Sequence, residues 1–149
     1  MIINRRPLLL GALGALAAPA TLRAQTGSNA WTRDAYLAAM RASGRETTIS
    51  EQTFNAIQAR KPAAMRRIEN YLKARFNGEA DPAVLRAFET LPREYFHWNY
   101  EGRTNGAVNA YESEPKPWGL GYGSALSDYL GQAYMTQVCA PKPEHVVLE

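Results

Sequence analysis

The stretch GYGSALSDYLGQAYMTQ, residues 121–137, combines a glycine-rich turn with the start of a helix. Two glycines flank a tyrosine, two serines follow, and an amphipathic helical pattern begins directly after them. A glycine-rich turn that leads into a helix is a common way to hold an anionic or polar small molecule. It is also an ordinary way to begin a helix, and Ser127 or Asp128 is a suitable N-cap. The stretch therefore leaves two alternatives open, a ligand site and a simple helix start.

Four further helices are predicted before this stretch. Each begins at a serine, threonine, aspartate or proline boundary and carries apolar residues at helical spacing. Their predicted ranges are 32–42, 50–62, 63–76 and 81–92, with caps at Thr32, Ser50 and Asp81 and a break at Pro62. The fifth helix, in the quoted stretch, is expected to turn Leu130, Tyr134 and Val138 toward the core.

Residues 95–134 differ in composition from the helices before them. Nine of the fifteen aromatic residues fall there, among glycines, asparagines and prolines. This predicts loops and short extended pieces wrapped over a core. The run Val146-Val147-Leu148 then reads as the start of a buried strand, and a single strand is not a finished sheet. The predicted fold class is mainly α, with irregular aromatic-rich loops and one terminal strand.

The N-terminus has the layout of a secretory signal. Arg5 and Arg6 precede an apolar run over residues 8–18, and Ala24 ends a suitable cleavage site. Asn4-Arg5-Arg6-Pro7-Leu8 resembles a twin-arginine signal, which predicts export to the periplasm. An uncleaved membrane anchor and a cytoplasmic location are the alternatives. Residues 1–24 are therefore interpreted as a signal peptide and residues 25–31 as a linker.

Charge and composition argue against two classes of partner. Lys plus Arg number 17 and Asp plus Glu 14, but residues 1–24 hold three arginines and no acid, so 14 of each sign remain. A nucleic-acid-binding surface needs a basic surplus, so no nucleic acid is expected. Cys139 is the only cysteine, and only His97 and His145 accompany it, so no metal centre is expected either. The basic run on residues 60–75 is interpreted as a solvated helix face, with an acidic partner as the alternative.

Two blocks of the chain resemble a known family. VLRAFETLPREYF, residues 84–96, and GYGSALSDYLGQAYMTQVCAPKPEHVVLE, residues 121–149, are similar to the N-terminal part of protein-L-isoaspartate O-methyltransferases. That family carries a helix ending in V-P-R-E-x-F, a segment close to L-P-I-G-x-G-Q-T-I-S-Q-P, and then V-L-E-I-G-x-G-x-G. The second block matches without a gap. On this division, residues 32–92 form a helical N-terminal region and residues 93–149 a methyltransferase-like loop, helix and first strand.

The resemblance implies a fold, a cofactor and site residues. The fold would be a doubly wound, Rossmann-like α/β domain, of which this chain holds an incomplete part, ending within the S-adenosylmethionine motif. The reaction would transfer a methyl group from S-adenosylmethionine to a carboxylate of a protein or peptide, as in protein repair. Ser127 would be the active-site serine, and the methyl donor would be contacted by Ser124, Ala125, Leu126, Ser127, Gln132 and Glu149. This chain alone is expected to be inactive.

The chain departs from the family pattern around the serine. Ala125 replaces a threonine, Asp128 adds a negative charge and Tyr129 replaces a proline, so isoaspartyl specificity does not follow. Trp118 and Tyr122 would flatten a binding surface for another substrate. Two alternatives therefore stay open: an exported, non-catalytic binding module that uses the aromatic segment, and a degenerate methyltransferase relative.

Overall fold

The computed structural model of the protein describes residues 31–146, and its main element is the α-helix. The four helices of this part are α1 (Arg33–Ala42), α2 (Glu51–Arg75), α3 (Pro82–Thr90) and α4 (Tyr129–Cys139). The strands are β1 (Trp98–Asn99), β2 (Thr104–Asn105), β3 (Trp118–Gly121) and β4 (Ser124–Leu126). Two short 3₁₀ helices, Arg93–Phe96 and Ala107–Asn109, complete the set. The prediction of a mainly α chain is confirmed for this part of the protein.

The helix starts follow from side-chain caps. Thr32, Ser50 and Asp81 each accept a hydrogen bond from a backbone N–H in the first turn of α1, α2 and α3, as predicted. Asp128 does the same for α4, where Oδ1 accepts 2.9 Å bonds from two amides. These bonds satisfy N–H groups that have no partner inside the helix. Of the two candidate caps for α4, the structure therefore selects Asp128, and Ser127 is not the N-cap.

The predicted break at Pro62 is wrong, because α2 runs through this proline and is 25 residues long. Proline removes one backbone donor and crowds the preceding turn, which normally ends or bends a helix. Here Ile57, Ala64, Ile68 and Leu72 form a buried stripe on both sides of the proline, and Pro62 itself is exposed. Burial along the whole stripe outweighs the local cost, so two predicted helices are one.

One hydrophobic core joins the two predicted regions of the chain. The helix α2 contacts α1, α3, α4 and the 3₁₀ helix Ala107–Asn109. Residues 32–92 and residues 93–149 both contribute to a single buried cluster, of which the largest members are Tyr36, Met40, Phe54, Ile57, Ile68, Leu72, Trp98, Tyr111 and Tyr129. The second region is thus held by the first, and its position depends on α2.

The aromatic segment consists of loops and short extended pieces, as predicted, and the extended pieces pair with one another. Strands β1 and β2 form one antiparallel pair and β3 and β4 another, in the register Trp118↔Leu126 and Gly119↔Ala125. The amide of Tyr100 donates a 2.6 Å bond to the carbonyl of Leu120 and thereby links the two pairs. Val146 is exposed and outside any strand. The rest of the predicted terminal strand lies outside the described residues.

The predicted inner face of α4 is wrong for two of its three residues, since Leu130 packs against the core but Tyr134 and Val138 are exposed. Tyr129 and Ala133 are buried, whereas Tyr134 is 37% and Val138 52% exposed. The buried Tyr129 is held by its hydroxyl, which donates a 2.7 Å bond to the Glu112 carbonyl. The apolar pattern of α4 alone could not select between these faces, since it is apolar on more than one side.

Within residues 31–146, no helix has both the length and the apolar character to cross a membrane. The predicted signal peptide and residues 25–30 of the predicted linker lie outside the described residues. Trp31, the last residue of that linker, is half-buried and packs on the core.

Candidate functional site

Two consecutive charged residues are buried in the interior. Arg93 and Glu94 begin the 3₁₀ helix directly after Pro92 and are only 7% and 0% exposed. Burying an ion is costly unless hydrogen bonds replace its water. The two side chains bind different partners, so this dipeptide connects separate parts of the fold.

The carboxylate of Glu94 is held by three neutral donors. Its Oε1 accepts from Trp31 Nε1 at 2.7 Å and from Gln58 Nε2 at 2.5 Å. Its Oε2 accepts from the hydroxyl of Tyr111 at 2.8 Å. Burial, with Glu94 adding to the effect, raises the pKa of Tyr111, so the phenol remains a donor. The carboxylate therefore ties the start of α1, the helix α2 and the loop after the second 3₁₀ helix together.

The guanidinium of Arg93 organises the region before and along α4. One nitrogen donates to the Ser127 carbonyl at 2.6 Å, and another donates to Gln132 Oε1. The group also lies 5.8 Å from the centre of the Tyr129 ring. Planar guanidinium groups suit two acceptors at once. Arg93 thereby brings two predicted site residues, Ser127 and Gln132, to the same place.

The predicted donor-contact residues are distributed along this region. Ser124 and Ala125 are exposed, Leu126 is half-buried, and all three form β4, so the predicted loop is a strand. Ser127 is exposed between β4 and α4, and Gln132 is half-buried on α4. Glu149 lies outside the described residues. The exposed members belong to one continuous segment. At its C-terminal end, Arg93 binds the Ser127 carbonyl.

Asp128 carries the negative charge that the family pattern lacks. Both of its α4 amide bonds bring positive N–H dipoles to the carboxylate, and a charge of this sign is stabilised at a helix N-terminus. Burial lowers the pKa of the Arg93 guanidinium, and the nearby Asp128 carboxylate offsets part of this effect by raising it. The negative charge of Asp128 is thus stabilised by the α4 amides and by Arg93.

The turn between β3 and β4 is conformationally demanding. Gly121, Tyr122 and Gly123 all have positive φ, at 95°, 51° and 77°. A Cβ on Gly121 would lie 2.6 Å from Glu101 Cβ, so glycine is required there by close approach. The Tyr122 amide donates a 2.9 Å bond to Glu101 Oε2. The tyrosine ring is left 77% exposed at the tip of the hairpin.

The expected aromatic surface is only partly present. Trp98 is 4% exposed and belongs to the core. Trp118 is half-buried, packed against Gly106 and tilted over His97 with ring centres 6.0 Å apart. Of the two residues expected to form this surface, Trp118 and Tyr122, only Tyr122 is exposed; Tyr100, elsewhere in the aromatic segment, is 53% exposed as well.

Arg93, Glu94 and His97 were not assigned roles by the sequence interpretation. Arg93 and Glu94 lie inside the first block that resembles the family, within Pro92–Phe96, so the block itself marked their position. The sequence does not show that these two adjacent charged residues are buried, or that their hydrogen-bond partners lie up to 63 positions away. His97 is 1% exposed, and burial lowers its pKa to about 4.

No protein-family model and no solved structure matches this chain.

Proposed function

We propose that this chain is part of an S-adenosylmethionine-dependent methyltransferase that resembles protein-L-isoaspartate O-methyltransferases, and that it belongs to a Rossmann-like domain. Methyl transfer would go to a carboxylate of a protein or peptide. The active-site region would comprise the segment from Ser124 to Ser127 together with Gln132.

The observation that carries this proposal is the double hydrogen bond of Arg93. The two blocks that resemble the family are separated by 24 residues of chain, numbers 97–120. Arg93, in the first block, binds the Ser127 carbonyl and the Gln132 side chain, both in the second. Two weak matches that meet through one buried side chain support a shared site better than either match alone.

The residues of the region suit a cationic methyl donor. Residues 121–133 contain no lysine or arginine, and the charge of the Arg93 guanidinium that contacts them is opposed by the Asp128 carboxylate. Gln132 gives its oxygen to Arg93, which aims its NH₂ group away from that contact. When bound, S-adenosylmethionine would supply an activated methyl group that already carries the positive charge.

The protein's contribution to such a transfer is positioning. The Ser127 hydroxyl is exposed, while its own carbonyl is fixed by Arg93 at 2.6 Å, so the serine has a defined backbone position. A neutral hydroxyl orients a polar ligand without adding charge, and holding two reactants in line lowers the barrier chiefly through proximity. No strong general base is needed, because a carboxylate acceptor is already ionised near neutral pH.

The proposal is tested first by the coding sequence beyond Glu149. The resemblance requires Ile-Gly-x-Gly-x-Gly to follow directly, and a reading frame without such glycines removes the proposal. The product of the complete reading frame should then be titrated with S-adenosylmethionine by calorimetry. Binding supports the methyltransferase, whereas the glycine motif without any heat of binding indicates the degenerate relative.

The variant Ser127→Ala is the sharpest probe of the site. It removes the hydroxyl but keeps the carbonyl that Arg93 binds, so the fold should be unaffected. We expect affinity for S-adenosylmethionine or methyl transfer to fall by about tenfold, the value of one lost hydrogen bond. Thr104→Ala, at an exposed hydroxyl of β2, is the matched control and should change neither.

A binding module without catalysis is the second candidate, and Tyr122 favours it. This residue holds a left-handed backbone conformation with 77% of its surface exposed, which costs stability without contributing to the core. Exposed tyrosines bind flat ligands and sugars through the ring face. Saturable quenching of tyrosine fluorescence by such a ligand, lost in Tyr122→Ala and without any S-adenosylmethionine binding, would favour the module.

A further inference from the structure

A groove of about 400 Å³ is lined in part by Tyr111, the residue whose hydroxyl also binds the Glu94 carboxylate. It is bounded by the helix α2 and by the loop that precedes β3. We call it the Arg60 groove; the side chains that matter here are Arg60, Arg67, Ser113 and Lys116, with Glu112 and Glu114 on the same loop. Its volume is in the range of small-molecule sites.

Two arginines line the helical wall of the groove. Arg60 and Arg67 are seven positions apart, two turns of α2, and therefore lie on one side of the helix. Within residues 31–146, neither forms a salt bridge to a carboxylate. Lys116 adds a third cation from the loop, 3.9 Å from Glu114 in an exposed pair that contributes little. Three cations against two carboxylates leave the groove with a positive excess.

The guanidinium of Arg60 has one buried hydrogen-bond donor without an acceptor among residues 31–146. Its Nη2 donates a 2.7 Å bond to the Val108 carbonyl, but its Nε is buried and has no hydrogen-bond partner within the described residues. A buried donor without an acceptor destabilises the protein. An oxyanion that draws the guanidinium toward the groove would supply this acceptor and receive two parallel N–H bonds.

We propose that the Arg60 groove binds an oxyanion, a carboxylate or phosphate group carried by a small molecule. Arg60 and Arg67 supply paired N–H donors, Lys116 a point charge, and the Ser113 hydroxyl a neutral donor. The glutamates on the loop limit the net charge that the groove accepts. This inference is independent of methyl transfer, since it uses none of the residues from Ser124 to Gln132.

The test is an NMR titration of the full chain that follows the Arg60 Nε–Hε signal. Inorganic phosphate and citrate are added separately, with sodium chloride as the reference at equal ionic strength. We expect a saturable shift of this signal at millimolar concentration for at least one probe. A response to phosphate alone or to citrate alone identifies which oxyanion the groove takes.

Matched variants on the same helix separate a site from general charge attraction. Arg67→Gln should weaken binding about tenfold, whereas Arg66→Gln, at an exposed neighbouring position, should leave it unchanged within about twofold. Arg67 makes no hydrogen bond within the described residues, so its removal should not unfold the protein. Equal losses in the two variants, an equal response to chloride, or no saturable shift with either probe would overturn the proposal.

Discussion

The indole nitrogen of Trp31 donates a 2.7 Å hydrogen bond to Glu94 Oε1 across 63 positions of sequence. This bond attaches the segment before α1 to the buried carboxylate that also binds Gln58 and Tyr111. The neighbouring side chain, Arg93, binds Ser127 and Gln132. Arg93, which supports the candidate site, and Glu94, which joins distant parts of the fold, are therefore adjacent residues. A substitution at either one should disturb the hydrogen bonds of the other.

Replacement of Glu94 by glutamine should destabilise the fold by about 3 kcal/mol. The amide brings a donor into a cavity that already holds three donors, and one of them loses its acceptor. Urea unfolding followed by circular dichroism measures the free energy. The control is Glu89→Gln on the exposed side of α3, expected within about 0.5 kcal/mol of the parent. A Glu94→Gln protein as stable as the parent would contradict this account of the network.

Replacement of Gly106 by alanine should cost about 3 kcal/mol or more. The added Cβ would lie 2.2 Å from Trp118 Cζ2, and the large ring sits in packed surroundings. Gly119→Ala is the control, because a Cβ there meets nothing within 4 Å and φ is not positive. Trp118→Leu in the Gly106→Ala background should recover part of the loss, which identifies the clash as its cause. Equal unfolding midpoints for the two alanine variants would be incompatible with it.

Replacement of Pro62 by alanine should stabilise the protein by roughly 1–3 kcal/mol. Pro62 is exposed inside α2, and alanine would restore the amide that can bond to the Gln58 carbonyl. Thermal unfolding of the variant should show a higher Tm. Pro82→Ala is the comparison, since proline is favoured at the first turn of α3 and its loss should give no gain. A lower Tm for Pro62→Ala would mean that the proline sets a bend required by the core.

Stability should fall as the pH drops from about 6.5 to about 4, because of His97. Its pKa is lowered to about 4 by burial, so the unfolded chain takes up a proton in this window while the folded protein does not. The contribution of the neutral His97 ring to the free energy of unfolding is full above the pKa of His97 in the unfolded chain. It decreases as the pH falls toward the pKa of His97 in the folded protein. The loss amounts to roughly 3 kcal/mol at acid pH.

The variant His97→Gln should remove this part of the pH dependence, although it also lowers stability at neutral pH. The exposed His145 provides the control, and His145→Gln should retain the full slope between these pH values. Urea unfolding at a series of pH values gives the comparison. A slope that persists unchanged in His97→Gln would assign the acid sensitivity to other groups.

The helix starts were predictable from the chain because caps are local. Thr32, Ser50 and Asp81 need only an amide two or three residues ahead, which sequence spacing supplies directly. The mainly α character follows for the same reason, since helical hydrogen bonds and the three- or four-residue repeat of apolar positions are both local.

The continuity of α2 and the exposed faces of α4 were settled by packing over long distances. Pro62 resembles a helix end in the sequence, but the buried stripe on both sides of it keeps α2 continuous. The helix α4 is apolar on several sides, and the burial of Tyr129 and Ala133 decides which side faces the core. The candidate site followed the same division. The sequence identified Ser127 and Gln132 as site residues. The role of the buried Arg93 that joins them depends on a low-dielectric interior and on partners more than thirty positions away, and no local sequence pattern encodes either.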